Sequence, residues 1–348
     1  MFTTRPGYTF SVGLTALAAV IALAALNPAY PAERKSIRWA TSSTGSYGYK
    51  VAAQMTKVLE DALGGEYTVT VNPYPSTTAA MKATMDGNGE IGYTADVGMT
   101  QVYTGEGGFK NYTPAKSNLV HTWYAYPMES FMAVYAPKAG QFKSWGDFSG
   151  KPVFFTPAGF MNWLNFQRIF KALGYEFKHV QIGEAAQGDA LQAGTVVGAV
   201  AYTTAGASLP SYWRETELRL DIKLINPSPD EVKKLTAAGL APVEVDATKA
   251  FSKDVGVKTV LGVPILFGYN VRADMPEEVV YKMLSSFYNN RESLAKADPG
   301  FAPMARDFIS MQVNGINANP TIPVHAGMAK FLKEKKAWND KWIVAGGK

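Results

Sequence analysis

The sequence contains no cysteine. This absence excludes disulfide bonds, zinc sites with thiolate ligands, thiol nucleophiles and an N-terminal lipid anchor on cysteine. Histidine is also scarce, because only His121, His179 and His325 occur, far apart and without the spacing of metal ligands. We therefore expect no metal site built from these residues.

Charged residues are few, and no dense basic cluster occurs. Lys, Arg, Asp and Glu make up 18% of the chain, and the formal net charge is +5. This balance gives no electrostatic footprint for nucleic acid, so we expect no nucleic-acid partner. The lysines from Lys330 to Lys341 are interpreted as a solvated helix face, with contact to a membrane partner as the alternative.

Catalytic sequence motifs are missing as well. No G-x-S-x-G occurs. Residues 87–92 match G-x-G-x-x-G by letter, but they precede a predicted strand instead of following one, which does not fit dinucleotide binding. Residues 293–296 match S-x-x-K without any partner motif. The sequence therefore predicts a protein that is not an enzyme and carries no cofactor.

Only one long uncharged apolar run is present, Val12 to Leu26. Small residues follow near Ala25, Ala29 and Ala32, the pattern of a secretory signal peptide. We expect residues 1–32 to be a cleaved signal and the mature protein to be periplasmic. A single membrane anchor is the alternative, although the run is short for a span. No later run is long and apolar enough to cross a bilayer.

The stretch Ile37–Val51 combines a strand, a loop of glycine and hydroxyl residues, and the start of a helix. Apolar alternation at Ile37 and Trp39 predicts the strand, and helical spacing predicts a helix over Tyr47–Leu63. The loop places N–H and O–H donors at the positive end of that helix, a geometry that suits a carboxylate or phosphate. An ordinary N-cap turn is the alternative, because serine and threonine favour that position.

Strands and helices alternate along the chain, and the pattern begins again near Trp145. This double alternation predicts an α/β fold with two lobes. Four loops of small residues occur where strands lead into helices: Thr44–Tyr47, Thr94–Asp96, Thr156–Phe160 and Tyr202–Ala205. Ligands bind beyond the carboxyl ends of strands, so these loops are expected to line a hinged cleft. The stretches Val120–Tyr135 and Val257–Val271 are expected to connect the lobes, with breaks at Pro127 and Pro264.

Several motifs follow one another in a recognisable order. The strand, T-G-x-x-Y loop and helix at Ile37–Val51 precede a strand that exits on an aspartate at Ile91–Asp96. Tyr126–Glu129 has the pattern aromatic-Pro-x-Glu, in a stretch expected to connect the lobes. Ser144–Gly159 contains an S-W-x-D-x-x-G-K turn followed by a glycine loop. Ile322–Phe331 forms the start of the final helix. In order and spacing the chain resembles the TAXI group of solute-binding proteins of TRAP (tripartite ATP-independent periplasmic) transporters. The resemblance covers nearly the whole chain after the signal.

The resemblance implies a type II periplasmic-binding-protein fold with a hinged cleft between two lobes. Residues 33–128 would form the first part of lobe 1, residues 129–262 lobe 2, and residues 263–348 the return to lobe 1 with C-terminal helices. A monomer would capture a small organic anion and deliver it to integral membrane TRAP subunits. Family ligands imply an amino-acid-like molecule or a dicarboxylate, whereas the aromatic residues near the loops favour a larger or aromatic carboxylate.

The candidate ligand-binding residues belong to the four loops and to aromatic positions near them. Hydroxyl and N–H donors would hold the anion, and aromatic side chains would form walls. Asp96 would accept an ammonium group or, alternatively, cap its helix, and core packing is the alternative for Tyr124 and Trp163. No arginine is clearly placed to hold a carboxylate, since Arg168 lies two turns inside its helix. The full set is Thr44, Gly45, Ser46, Tyr47, Ala95, Asp96, Tyr124, Thr156, Ala158, Gly159, Phe160, Trp163, Tyr202, Thr203 and Thr204.

Two other functions stay open at this point. A hydrolase or lyase could use the same two-lobed scaffold, but it would need a positioned acid–base pair, which the sequence does not show. A binding protein for sensing or scavenging, without a transporter of its own, is the third hypothesis. A neighbouring gene for a protein with many membrane spans would favour transport.

Overall fold

The structure is a computed structural model that describes residues 1–3, 7 and 34–346. The predicted signal peptide lies outside these residues except for positions 1–3 and 7. Residues Ser36–Lys348 form one compact unit. Within the described part of the chain, no helix combines the length and the apolar character needed to cross a membrane.

Nine strands within the described residues join in one sheet with the order β2-β1-β3-β9-β4-β6-β5, while β7 pairs with β4 and β8 with β9. Their bounds are β1 (Lys35–Thr41), β2 (Tyr67–Pro73), β3 (Ile91–Ala95), β4 (Leu119–Tyr135), β5 (Val153–Phe154), β6 (Gly198–Thr204), β7 (Ile222–Ile225), β8 (Val243–Asp246) and β9 (Thr259–Arg272). Parallel pairs (β1 with β3, β5 with β6) and antiparallel pairs coexist, so the sheet is mixed.

The helices lie between and after these strands. Their bounds are α1 (Tyr47–Ala62), α2 (Thr77–Met85), α3 (Asp96–Thr104), α4 (Met161–Leu173), α5 (Gln187–Ala193), α6 (Ser211–Arg219), α7 (Pro229–Ala237), α8 (Ala247–Ala250), α9 (Glu277–Ala297), α10 (Ala302–Arg306), α11 (Phe308–Ala318) and α12 (Ala326–Glu334). The predicted strand–loop–helix unit at Ile37–Val51 is confirmed as β1, its loop and α1.

Two long strands run through both halves of the sheet. The strands β4 and β9 contain 17 and 14 residues and pair with each other antiparallel. On one half, β9 also pairs with β3 through Phe267–Val271; on the other half, β4 also pairs with β6 through Met128–Ala133. We call the half with β1–β3 the first lobe and the half with β5–β8 the second lobe.

The breaks predicted at Pro127 and Pro264 are wrong, because both prolines lie inside continuous strands. Because proline has no N–H to donate to a second neighbouring strand, it is tolerated where a strand is paired on one side only. Pro127 immediately precedes the pairing of β4 with β6, which begins at Met128. Pro264 lies between the end of the β8 pairing at Gly262 and the start of the β3 pairing at Phe267. Both prolines therefore mark the joint between the lobes.

Each lobe is filled by aromatic side chains. In the first lobe, Trp123 stacks on Phe287 with ring centroids 4.3 Å apart, and Trp39 meets the ring of Tyr269 edge-on at 4.9 Å. In the second lobe, Phe155 contacts Phe170 and several neighbouring rings. Such rings bury large apolar areas, so the many aromatic residues of the sequence serve mainly to fill the core.

Candidate functional site

A small cavity lies where the two lobes meet. Its lining comes from the first lobe, the second lobe and the long strands that join them, namely Ser42, Ser46, Tyr47, Thr77, Tyr93, Met128, Phe160, Met161, Asn162, Tyr202 and Phe267. The cavity is small, with a volume of about 10 Å³, roughly enough for one water molecule. A solute would therefore need the lobes to separate before it enters.

The start of α1 contributes hydroxyl groups to this cavity. Ser46 is the N-cap of α1, and its Oγ accepts a hydrogen bond from the N–H of Tyr49 at 3.2 Å. The hydroxyl of Ser42 donates to the same oxygen at 2.8 Å. Both serines are buried. This arrangement fixes the loop after β1 and directs the positive end of α1 toward the cavity.

Two more helices begin at the cavity. Thr77 is the first residue of α2, after the N-cap Ser76, and Met161 and Asn162 open α4. The Oδ1 of Asn162 accepts from the hydroxyl of Ser130 at 2.8 Å. Three helix N-termini thus surround one space, and each carries N–H groups without an acceptor inside the helix and a partial positive charge. Within residues 34–346, no lysine or arginine lines the cavity.

Aromatic rings form the rest of the wall. The rings of Tyr93 and Phe267 stack with centroids 5.0 Å apart, and the hydroxyl of Tyr126 donates to that of Tyr93 at 3.1 Å. Burial raises the pKa of Tyr93, and burial followed by the charge of Glu184 raises the pKa of Tyr202. These phenols are therefore neutral at physiological pH and can donate hydrogen bonds.

Hydrogen bonds hold the lobes together on both sides of the cavity. The carbonyl of Gly159 in the second lobe accepts from the N–H and the hydroxyl of Thr78 in the first lobe, at 3.1 and 2.9 Å. The Ser43 hydroxyl donates to Glu184 at 2.9 Å, and the Ser211 hydroxyl donates to the carbonyl of Gly45 at 3.2 Å. The lobes are therefore closed against each other.

An open groove of about 600 Å³ lies beside the cavity. Its lining includes Thr44, Gly45, Lys50 and Arg214, and it shares Ser46 and Tyr47 with the cavity. The hydroxyl of Tyr47 donates to the buried carboxylate of Asp298 at 2.6 Å, and Lys50 pairs with the same carboxylate at 2.8 Å. These bonds hold the ring of Tyr47 between the groove and the cavity.

The structure brings four of the predicted residues to the cavity, namely Ser46, Tyr47, Phe160 and Tyr202. Thr44 and Gly45 line the neighbouring groove. Gly159 lies at the contact between the lobes, with a φ of +87°. A Cβ at that position would lie 2.9 Å from the Oγ of Ser76, so glycine permits the close approach of the two lobes there.

Three predicted residues lie away from the cavity, in positions that packing explains. Tyr124 is fully buried and its hydroxyl lies 2.6 Å from the Nδ1 of His121. The ring of Trp163 packs edge-on against Phe177. The hydroxyl of Thr203 donates to Glu129 at 2.7 Å, on the opposite face of β6 from Tyr202.

Ala95 and Asp96 lie at the start of α3. Ala95 is buried without a capping bond, and the Oδ1 of Asp96 accepts from the N–H of Val97 at 2.8 Å. Burial raises the pKa of Asp96, while the positive charge of Arg168 on α4 acts in the opposite direction. Asp96 is thus the first residue of its helix, and the charge of Arg168 acts on it across the lobe contact.

The remaining predicted residues differ in exposure. Ala158 is exposed, and its N–H donates to Gln181 at 2.9 Å. Thr156 and Thr204 are completely buried, and their hydroxyl oxygens have no hydrogen-bond partner among the described residues. Thr156 also has a φ of +69°, which is rare for a β-branched residue.

Sequence patterns gave no reason to select seven of the lining residues: Ser42, Thr77, Tyr93, Met128, Met161, Asn162 and Phe267. Thr77 and Asn162 carry the sequence signal of polar side chains in the first turn of a helix, here α2 and α4. Tyr93, Met128 and Phe267 lie inside strands, and only the pairing of those strands brings their side chains to the cavity.

Comparison with known proteins finds solved structures that resemble this chain. MatC from Rhodopseudomonas palustris, solved with bound malate, is 12% identical over 83% of this chain and 97% of its own, with a TM-score of 0.53. The alkanesulfonate-binding protein SsuA from Xanthomonas axonopodis pv. citri, bound to MOPS, is 14% identical over 90% of this chain and 98% of its own, with a TM-score of 0.43. No curated protein matches the sequence.

The strand order, the two lobes and the likeness to MatC define the class of fold. It is the two-lobed α/β fold of periplasmic binding proteins, with a cleft between the lobes, and the predicted fold class is confirmed. The model of the NMT1-like family matches residues 39–335, so the chain belongs to the NMT1-like family.

Proposed function

We propose that this protein is an extracytoplasmic solute-binding protein that captures a small organic anion in the cleft between its lobes. The single observation that carries the proposal is the convergence of the N-termini of α1, α2 and α4 on one cavity. Backbone N–H groups and helix dipoles at such ends favour negative charge. The hydroxyls of Ser46 and Thr77 add donors that suit a carboxylate.

The aromatic walls support a solute with an apolar part. Phe160 and Phe267 line the cavity together with Met128 and Met161. A larger or aromatic carboxylate would bury more apolar surface against them than glutamate or malate would. Closure is stabilised when one solute contacts both lobes, so that only the loaded protein stays closed.

The partner that we propose is the integral membrane part of a TRAP transporter of the TAXI type, reached from the periplasm by a monomer. The support for this finer assignment is the order of motifs from the T-G-x-x-Y loop to the late helix opening. Residues 33–128, 129–262 and 263–348 are the proposed lobe segments. Their limits lie near the residues where β4 and β9 change neighbours.

A catalytic function finds less support. An acid–base pair would require two titratable groups within reach of one substrate atom. Within residues 34–346, no aspartate, glutamate or histidine lines the cavity. We therefore propose binding without chemical change of the solute.

A thermal-shift screen tests the proposal. The purified protein would be heated with amino acids, dicarboxylates, keto acids and aromatic carboxylates. A solute at a hundred times its dissociation constant adds roughly 2.7 kcal/mol to the free energy of unfolding. We expect one class of carboxylate to raise the melting temperature and to be recovered unchanged.

Two results would contradict the proposal. Conversion of the active compound would establish an enzyme. A shift caused only by compounds without a carboxylate or other anionic group would contradict the anion site. If no compound acts, mass spectrometry of the denatured protein's supernatant would show whether a solute is already bound.

A further inference from the structure

A second pocket lies at the contact between α3 of the first lobe and α4 of the second lobe. We call it the α3–α4 pocket; its volume is about 410 Å³. Two positive side chains, Arg168 and Lys171 on α4, and one negative side chain, Glu106 after α3, belong to its lining. Because both lobes contribute to its walls, a molecule bound there contacts both of them.

A tight helix contact lies between this pocket and the cavity in the cleft. A Cβ added to Gly98 of α3 would lie 2.7 Å from the Sδ of Met161 on α4. Met161 lines the cavity, whereas Val97, the neighbour of Gly98, lines the α3–α4 pocket. The pocket is therefore a space of its own.

The guanidinium of Arg168 is held in place but has few partners. Its Nε donates to the Oδ1 of Asn165 at 2.8 Å, and the Nδ2 of Asn165 donates to the carbonyl of Val263 in β9 at 3.0 Å. Burial lowers the pKa of Arg168 and the charge of Asp96 raises it, but within the described residues no ion pair joins Arg168 to a carboxylate. The terminal Nη atoms thus keep free N–H donors, which match the paired oxygens of an oxyanion.

Two further groups of the pocket lack a partner. Lys171 is exposed, lies one helical turn after Arg168 and forms no ion pair within residues 34–346. On the side of the first lobe, the Oε1 of Gln101 is buried without a hydrogen-bond donor among the described residues. The cations on α4 thus call for acceptor oxygens, whereas the amide on α3 calls for a donor.

We propose that the α3–α4 pocket is an effector site for hydrogenphosphate, which connects the two lobes and favours their closed arrangement. The unprotonated oxygens of the anion accept from Arg168 and Lys171, and its hydroxyl donates to the Oε1 of Gln101. Sulfate has a similar shape and charge but carries no hydroxyl at neutral pH, so it satisfies the cations alone. The exposed carboxylate of Glu106 opposes the anion.

Chemical modification reports directly on Arg168. Phenylglyoxal reacts with accessible guanidinium groups, and mass spectrometry of the peptides gives the rate at each arginine. Phosphate at about ten times its dissociation constant leaves about a tenth of the sites free, so modification of Arg168 should slow about tenfold. Arg306 is exposed and lies outside the pocket, so it is the internal control and should react at an unchanged rate. Phosphate, sulfate and chloride are compared at neutral pH and equal ionic strength.

Three exposed positions test the charges of the pocket without changing Arg168. Lys171→Gln should raise the phosphate concentration for half-protection of Arg168 by about threefold, and Glu106→Gln should lower it. Lys178→Gln replaces an exposed lysine of the second lobe outside the pocket, so this matched control should behave like the parent protein. Gln101→Met should remove the advantage of phosphate over sulfate, because the acceptor for the hydroxyl is lost.

The effect on closure is measured between spin labels on the two lobes. The chain has no native cysteine, so Ala53→Cys on α1 and Ala237→Cys on α7, both exposed, take the labels. We expect phosphate without any solute to increase the closed fraction seen by double electron–electron resonance. Arg168→Lys should remove the increase, because an ammonium group does not offer the paired donors of a guanidinium.

Modification of Arg168 that phosphate does not slow, or slows no more than that of Arg306, would overturn the site. An Arg168 that phenylglyoxal does not modify at all would also overturn it, since its donors would then not face the pocket. Equal protection by sulfate and phosphate would contradict the role of Gln101, and unchanged label distances would contradict the effect on closure. These measurements use no solute in the cleft, so their failure leaves the proposed function to its own test.

Discussion

His121 illustrates how a single buried residue can make stability depend on pH. The imidazole is fully buried, with Nδ1 2.6 Å from the Tyr124 hydroxyl and Nε2 2.9 Å from the carbonyl of Asn319. Burial lowers the pKa of His121 from 6.5 to about 4. The folded state thus prefers the neutral ring. This contribution to stability is complete above about pH 6.5 and is lost as the pH falls toward 4.

The expected size of this effect is about 3 kcal/mol between pH 6.5 and 4. Urea unfolding of the parent protein and of His121→Gln at several pH values checks it. The parent protein should lose about 3 kcal/mol more free energy of unfolding than the variant over this interval. Parallel pH dependence of the two proteins would show that His121 does not titrate in this way.

Phe160 and Trp163 offer a matched pair for testing the wall of the cavity. Phe160 lines the cavity, whereas Trp163 packs on Phe177 outside it. We expect Phe160→Ala to weaken binding of the best compound of the screen by about tenfold or more, since the contact area with an apolar part is lost. Trp163→Phe should leave affinity unchanged. Isothermal titration calorimetry measures both, and unchanged affinity for Phe160→Ala would argue against its place in the wall.

At the scale of the element, the loop from β5 to α4 carries backbone strain. Thr156 has a φ of +69° and a buried hydroxyl without a partner among the described residues. A β-branched residue in the left-handed region costs about 1–2 kcal/mol, and glycine removes this cost while adding a smaller entropic one. We expect Thr156→Gly to raise the free energy of unfolding by up to about 1 kcal/mol in urea titrations. A clear loss of stability would show that the threonine side chain is needed for packing.

The pairing of β4 with β9 depends on a glycine. A Cβ at Gly268 would lie 2.1 Å from the carbonyl oxygen of Trp123, so one of the two strands must move. We expect Gly268→Ala to lower the free energy of unfolding by about 2 kcal/mol or more. Gly140→Ala is the control, because no atom lies within 4 Å of its added Cβ. Equal melting temperatures for the two variants would contradict the close contact.

Elements were predictable from the sequence where local pattern decides the conformation. Helix α1 follows from the apolar spacing of Val51, Met55 and Leu59, which are all buried. The continuous strands through Pro127 and Pro264 were not predictable, because proline breaks a strand only where its missing N–H would have had a partner. That condition depends on neighbours from distant parts of the chain, such as Gly262 and Phe267.

At the scale of the whole molecule, the joint between the lobes explains why a binding cleft forms here. At Pro127 and Pro264, β4 and β9 are held mainly by each other, since their outer neighbours end or begin nearby. The outer edges of β4 at Pro127 and of β9 at Pro264 lack a neighbouring strand, so hinge motion is expected there. The cavity lies beside this joint, where Met128 and Phe267 contribute to its lining.

Only part of the candidate site was predictable from the sequence, because the pairing of strands decides which side chains reach the cavity. Ser46 and Phe160 were predicted because they belong to loops that lead from strands into helices. Such loops lie at the carboxyl ends of strands, where ligands bind in α/β folds. The sequence alone could not distinguish Tyr202, which lines the cavity, from Tyr124, which packs in the core. The face of a strand that a side chain occupies depends on register, and a shift of one residue reverses it.

The most direct test of the account is a crystal structure of the protein with the best carboxylate of the thermal-shift screen. We predict electron density for the compound between Ser46 and Phe160, with its carboxylate at the N-termini of α1, α2 and α4. A compound seated only in the outer groove beside Lys50 and Arg214, with the cavity between the lobes unchanged, would contradict the claim that this cleft is the binding site.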